Sequence, residues 1–268
     1  MASKAPLRSS LEINIQHGVG VIWMNRPAVR NAIDDAVIAD LTRAFKDMDA
    51  DDAIRAVVIA GQGPAFCAGA DVNWIKRTAG ETKQAHLRNA QALSDMLLTL
   101  DHMQKPTVAR VHGAAVGAGV ALAAACDIVI AGTAASFSIR EVRIGLVPYG
   151  VAPFVVRAIG THQARRYALT GETIAAAEAY RIGLVHELVQ DALLDGAVNE
   201  ILGHIIQGGP GAIKGTKAFL REIDGKALSS ALLAKAGKDF VGMQASPEAK
   251  EGLQSFIERR KPKWHPED

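Results

Sequence analysis

Apolar and polar positions alternate twice near the start of the chain, over 11–16 and 19–24, on either side of His17-Gly18. A period of two broken by a glycine-containing dipeptide predicts two strands joined as a hairpin. The period then changes. From Asp34 onward Val37, Ile38, Leu41, Phe45 and Met48 recur at helical spacing, and the Asp34-Asp35 pair suits a helix N-terminus. The short apolar run 56–60 reads as a buried strand, and Gly61-Gln62-Gly63-Pro64 must turn. Helices are expected over 71–77 and 84–103, separated by a polar link that reads as mobile. Strands over 107–111 and 128–131 flank a glycine turn and a small-residue helix that starts near Gly117. Beyond Val151 the pattern is mostly helical, over 152–159, 163–169, 174–180 and 191–206, with one more strand over 184–189. Gly208-Gly209-Pro210-Gly211 marks a hinge, and Ser246-Pro247-Glu248 opens a further helix.

The recurring order of strand, strand and helix predicts an α/β fold of stacked units with a mixed sheet. Three segments follow: a disordered tail over 1–10, a core over 11–207 and a helical C-terminal region over 208–268.

Composition narrows the function classes. Of 268 residues, 49% are hydrophobic and only 5% aromatic, so the core is built from small aliphatic side chains. Thirty basic against 28 acidic residues leave a net charge of +2, and no overall field favours nucleic acid or a membrane surface. The uncharged run over 113–126 is too short and too rich in glycine and alanine to span a bilayer. The basic N-terminus lacks the apolar segment of a secretory signal, so a cytoplasmic protein is expected. Cys67 and Cys126 are too few for a disulfide or zinc framework. They read as core thiols in a reducing compartment, and no metal site is expected.

Chemistry concentrates in two turns and one carboxylate. Ala68-Gly69-Ala70-Asp71 and Gly117-Ala118-Gly119 each follow a predicted strand and open a helix. Facing each other, they would aim two backbone N–H donors at one carbonyl oxygen and stabilise a developing oxyanion. Taken singly, such turns are also plain packing solutions. Neither has the spacing of a dinucleotide or phosphate loop, and no G-x-S-x-G nucleophile turn occurs. Glu141, in the stretch S-F-S-I-R-E-V-R-I-G, has two readings: a general base tuned by burial, or a surface carboxylate paired with Arg140 or Arg143. His112 is a second base or a structural histidine, and Tyr149 and Asp71 are possible helpers.

These residues fall in an order that resembles the enoyl-CoA hydratase/isomerase (crotonase) family: Asn25-Arg26-Pro27, Arg30-Asn31-Ala32, Phe66-Cys67-Ala68-Gly69-Ala70-Asp71, Lys105-Pro106, His112-Gly113, Gly117-Ala118-Gly119, Cys126-Asp127, Phe137, Glu141, Gly145 and Pro148. The resemblance runs over about 11–263. It implies a spiral of β-β-α units with a C-terminal helical trimerisation region, assembled as a homotrimer or homohexamer. It implies an acyl-CoA thioester substrate, with coenzyme A entering as part of that substrate and no separate cofactor. Carried over, the amides of Ala70 and Ala118 form the oxyanion hole and Glu141 is the catalytic acid/base. Arg30, Ala68, Asp71 and Gly117 line the substrate and CoA path. A second glutamate used by family hydratases falls on Ala121, a departure that leaves one carboxylate.

Three functions are therefore carried forward: an enoyl-CoA hydratase, an enoyl-CoA isomerase with a single proton shuttle, and a non-catalytic CoA-binding or RNA-associating member. The local texture is most similar to bacterial hydratases of methylglutaconyl- or isohexenylglutaconyl-CoA. In that setting Arg140 or Arg143 would meet a substrate carboxylate; plain solvation of both is the alternative. The basic tail from Arg259 to Lys263 is either a helix-end charge cluster or an approach to the CoA phosphates.

Overall fold

A computed structural model describes residues 10–265. Strands β1 (Leu11–Gln16) and β2 (Val19–Met24) form the antiparallel hairpin, with Leu11 opposite Met24. Helix α1 (Asp35–Ala50) begins where Asp34 accepts a hydrogen bond from the Val37 N–H at 2.9 Å. Its buried stripe of Val37, Ile38, Leu41, Phe45 and Met48 is the helical repeat seen in the sequence.

The chain then repeats a pattern three times. Strands β3 (Ala56–Gly61) and β4 (Ala65–Cys67) lead to helices α2 (Val72–Thr78) and α3 (Lys83–Asp101). Strands β5 (Thr107–Val111) and β6 (Ala114–Val116) lead to α4 (Ala118–Ala124). Strands β7 (Ile128–Gly132) and β8 (Ser136–Ser138) lead, through a 3-10 turn over Glu141–Ile144, to α5 (Ala152–Thr170). After these come β9 (Thr173–Ala175), α6 (Ala176–Arg181), β10 (Glu187–Val189) and α7 (Leu194–Gln207). The first strand of each repeat joins a six-stranded sheet ordered β1-β2-β3-β5-β7-β10, and the second joins a four-stranded sheet ordered β4-β6-β8-β9. Within the first sheet β2, β3, β5, β7 and β10 run parallel. This is the spiral of β-β-α units.

Burial explains the layering. Every residue of β3 is buried, as a parallel strand covered on both faces should be. One face of the large sheet meets the main core with Phe45, Phe66, Met96 and Leu97, while Ala56, Val58, Val108 and Ile130 on the other face pack under Leu194, Val198 and Leu202 of α7. Helix α4 is buried at all seven residues and is made only of Gly, Ala, Val and Leu, which lets it sit close to the strand backbones.

Several expectations change. The helix expected over 174–180 yields its first residues to β9, because Ile174 pairs with Phe137 at the edge of the small sheet. The strand expected over 184–189 shortens to β10, whereas the two helices expected over 152–159 and 163–169 are both present within α5, meeting at a kink where Gly160 is non-helical (φ 72°, ψ 158°). The disordered-tail expectation lies outside the described residues except at Ser10, whose hydroxyl donates to Asp40 at 2.6 Å. The glycine-rich stretch expected to hinge is held on three sides. Arg55 donates to the carbonyls of Ile206 (3.1 Å) and Gly208 (2.6 Å), Glu248 accepts from the N–H groups of Gly211 and Ala212 at 2.8 Å, and Trp264 donates to Gln207 O at 3.1 Å. Helices α8 (Pro210–Ile223), α9 (Ser230–Gln244) and α10 (Pro247–Glu258) complete the chain, with Leu233, Phe240, Val241 and Phe256 exposed. No described helix is long and apolar enough to cross a membrane.

Candidate active site

The two turns are packed against each other by what their glycines lack. A Cβ on Gly69 would fall 2.8 Å from the carbonyl oxygen of Val116, and one on Gly119 would fall 2.4 Å from that of Cys67. Only hydrogen at these positions permits the approach.

The direction of the Ala70 amide follows from backbone pairing. Ile33 N–H donates to Gly69 O at 2.7 Å and Asp71 N–H donates to Ile33 O at 2.8 Å, a parallel bridge centred on Ala70. In extended chain the backbone groups of successive residues point to opposite sides, so the N–H of Ala70 faces away from Ile33. Ala118 is the first residue of α4, where an N–H has no partner within the helix. Neither amide meets an acceptor among the described residues.

The first turn is braced by residues whose motif was visible but whose role was not. Asn31 is 1% exposed; its amide donates to the carbonyls of Gln62 (2.9 Å) and Ala65 (2.8 Å), and its oxygen accepts from Arg26 N–H at 2.9 Å. The Arg26 guanidinium bridges Asp71 at 2.8 Å and Asp34 at 3.0 Å. Asp71 is buried and also caps α2 through the Asn73 N–H at 2.8 Å. Burial works against the Asp71 anion, but these hydrogen bonds and Arg26 together hold its carboxyl below the usual range. Its carboxylate is thus committed to the fold. Arg30 is exposed and left-handed (φ 53°), and its carbonyl accepts from Ala68 N–H at 2.9 Å, so these two expected CoA-path residues are neighbours.

Glu141 reaches this place from the opposite side. It opens the 3-10 turn that follows β8, and a Cβ on Gly117 would fall 2.7 Å from its Oε1. The other oxygen, Oε2, is buried without a hydrogen-bond partner among the described residues. Burial pushes the carboxyl pKa up, offset in part by the residue's own N–H. This disposes of the surface-pair reading: Arg140 donates instead to Thr173 Oγ1 at 2.9 Å, and Arg143 lies over Gly171. Ala121 is fully buried one helical turn after Gly117 and contributes a methyl group.

The remaining candidates stand apart. Through its ring, His112 bonds Gly63 O (2.8 Å) and Arg110 (3.3 Å), a bracing position. Tyr149 is 81% exposed. In the tail, Arg260 is paired with Glu251 (2.6 Å) and Glu258 (2.7 Å), so that cation is occupied. A cavity of about 910 Å³ lies beyond the other end of α4 between Cys126, Asp127, His186 and Lys217. It contains none of the two turns or Glu141. The unpartnered donors and the unpartnered carboxylate oxygen lie instead at the turns, which makes the turns the candidate site. No cluster of three His, Cys, Asp or Glu suited to a metal occurs among the described residues.

Comparison with known proteins bears on this arrangement. Residues 14–267 match the family model described as enoyl-CoA hydratase/isomerase. The chain is 31% identical over 255 residues to 2,3-dehydroadipyl-CoA hydratase of Escherichia coli K12, covering 95% of this chain and 98% of that protein. It is 32% identical over 247 residues to crotonyl-CoA hydratase of Syntrophomonas wolfei, covering 91% and 93%. An enoyl-CoA hydratase from Shewanella pealeana superposes with a TM-score of 0.92 at 30% identity, covering 95% of this chain and 96% of that one.

Proposed function

The chain belongs to the enoyl-CoA hydratase/isomerase family, and from that premise we propose that it adds water across the α,β double bond of an acyl-CoA thioester. The observation that carries the proposal is the Glu141 carboxyl, half-buried beside Gly117 with Oε2 unpartnered, next to the free amide of Ala118. In this reading the amides of Ala70 and Ala118 donate to the thioester oxygen. As the water oxygen bonds to C3, Glu141 takes its proton and the π electrons move onto the thioester oxygen. The enolate then collapses and the same carboxyl delivers a proton to C2. Losing one donor of such a pair costs about 3 kcal/mol of transition-state stabilisation.

Ala121 favours a second reading on a specific ground. With a buried methyl where another carboxylate would stand, a single group moves protons, and shuttling one between C2 and C4 of an enoyl thioester needs no water. The two reactions separate in one assay. Hydration of crotonyl-CoA removes the conjugated-enoyl ultraviolet absorbance, whereas isomerisation of a 3-enoyl-CoA creates it. We expect hydration, reduced about 10³-fold in Glu141→Gln; undiminished activity in that variant retires Glu141 as the base.

A carboxylated acyl chain, such as the 2,3-dehydroadipyl group of the Escherichia coli relative's substrate, fits exposed Arg140 and Arg143 on either side of Glu141. Arg30 and Ala68 would line the CoA path, with Asp71 acting through the turn it braces. Exposed Leu233, Phe240, Val241 and Phe256 suit burial in a homotrimer or homohexamer.

A further inference from the structure

We propose that Gly117 is a positioning residue for the acid/base: its bare Cα seats Oε1 of Glu141, which leaves Oε2 as the oxygen that moves the proton. The inference deepens the reading of Glu141 given above and rests on it.

Three observations converge. The backbone of Gly117 (φ 52°, ψ −114°) lies in a region that side chains rarely adopt. It is held there from both sides: its N–H donates to Ser138 O at 2.8 Å, and its carbonyl accepts from Val120 N–H at 2.9 Å and Ala121 N–H at 3.2 Å. Ser138 is the last residue of β8, the strand that delivers Glu141. The same main-chain link therefore fixes the start of α4 and the approach of the carboxylate.

The space beside Gly117 is defined by a single group. Beyond its own chain neighbours, and among the described residues, the atoms within 4 Å of a Cβ placed there are Oε1 at 2.7 Å and the carboxyl carbon at 3.6 Å, both of Glu141. Outside the local backbone, an added methyl would thus push on the carboxylate. Its immediate successor, Ala118, carries a proposed oxyanion donor. Gly117 accordingly sets the spacing between the proton carrier and the place where negative charge develops. Misplacing a reacting group by about 1 Å can cost on the order of 10²-fold in rate.

A double-mutant cycle separates this from backbone strain. With crotonyl-CoA as the probe, Gly117→Ala should lower kcat about 100-fold with KM little changed. In the Glu141→Asp background, where the carboxyl is drawn back by one methylene, the same substitution should lower kcat less than about 5-fold. Equal factors in both backgrounds overturn the proposal, because strain at φ 52° does not depend on residue 141. A thermal-melting cycle needs no substrate: Gly117→Ala should lower Tm less in the Glu141→Ala background than in the native one. Equal losses, or failure of both proteins to fold, overturn it as well. Should Glu141→Gln stay fully active, the functional reading itself fails, and the melting cycle still decides whether the two residues are in contact.

Discussion

At the scale of single residues, the site opposes stability to chemistry. Burial raises the Glu141 carboxyl above its ordinary value of 4.5, so the folded protein favours the protonated form. A raised value means that the group's contribution to stability is present below the unfolded-state pKa and is lost as pH rises through the folded one. The ionised form that the proposed reaction needs is therefore the form that destabilises the fold. Two outcomes are expected together: kcat/KM rises with pH on an acid limb above the ordinary glutamate range, and Glu141→Gln melts at higher temperature than the native protein at pH 8. A variant that melts lower would mean that the carboxylate is better satisfied than its unpartnered oxygen indicates.

At the scale of elements, long periodic segments were legible and short ones were not. Helix α1 is announced by a cap and a five-residue apolar stripe, and the hairpin by strict alternation. Strands β4, β6, β8 and β9 have three residues each, too few to show any period, so the second sheet was hidden. Within the candidate site, Glu141 and the two glycine turns could be picked out as candidates because their residue types carry chemistry. Arg26 and Asn31 could not be given roles, because their partners lie up to 45 residues away. Edge pairing of β10 has a similar long-range prop. His186 Nδ1 accepts from Val129 N–H at 3.0 Å, while the main-chain N–H of His186 donates to Val129 O at 2.8 Å. Burial lowers the His186 pKa from its ordinary 6.5, so its contribution to stability is present above that value and is lost as pH falls below it. Stability measured between pH 7.5 and 5.5 should fall less in His186→Asn than in the native protein; identical falls would place the acid sensitivity elsewhere.

At the scale of the whole molecule, the cations that tie the core to the C-terminal helices include Lys217 of α8, which donates to Lys105 O at 3.0 Å and pairs with Asp127 at 2.6 Å, and Arg55. Arg55 enters from the start of the central sheet and holds the carbonyls at the end of α7 together with that of Trp264. Burial lowers its pKa, partly offset by Glu248. Charge-assisted bonds of this kind contribute about 1.5–3 kcal/mol each where they are not replaced by water. Arg55→Ala should therefore lower stability by roughly 2–3 kcal/mol and speed amide exchange over 206–212 while leaving exchange in β3 and β5 slow. Uniform acceleration would instead mean that the two regions unfold as one.

The thiols extend this to time. Cys67 is wholly enclosed, its thiol pushed up to about 12 by burial despite the Gly69 N–H, and it touches the floor under Gly119. Cys126, just past the far end of the same short helix, is 7% exposed and borders the 910 Å³ cavity, although burial pushes its thiol up as well. An alkylating reagent cannot reach the Cys67 sulfur until the main chain around it parts. The rate at which Cys67 is labelled thus clocks the breathing of the two glycine turns, with Cys126 as a comparison thiol beside the cavity.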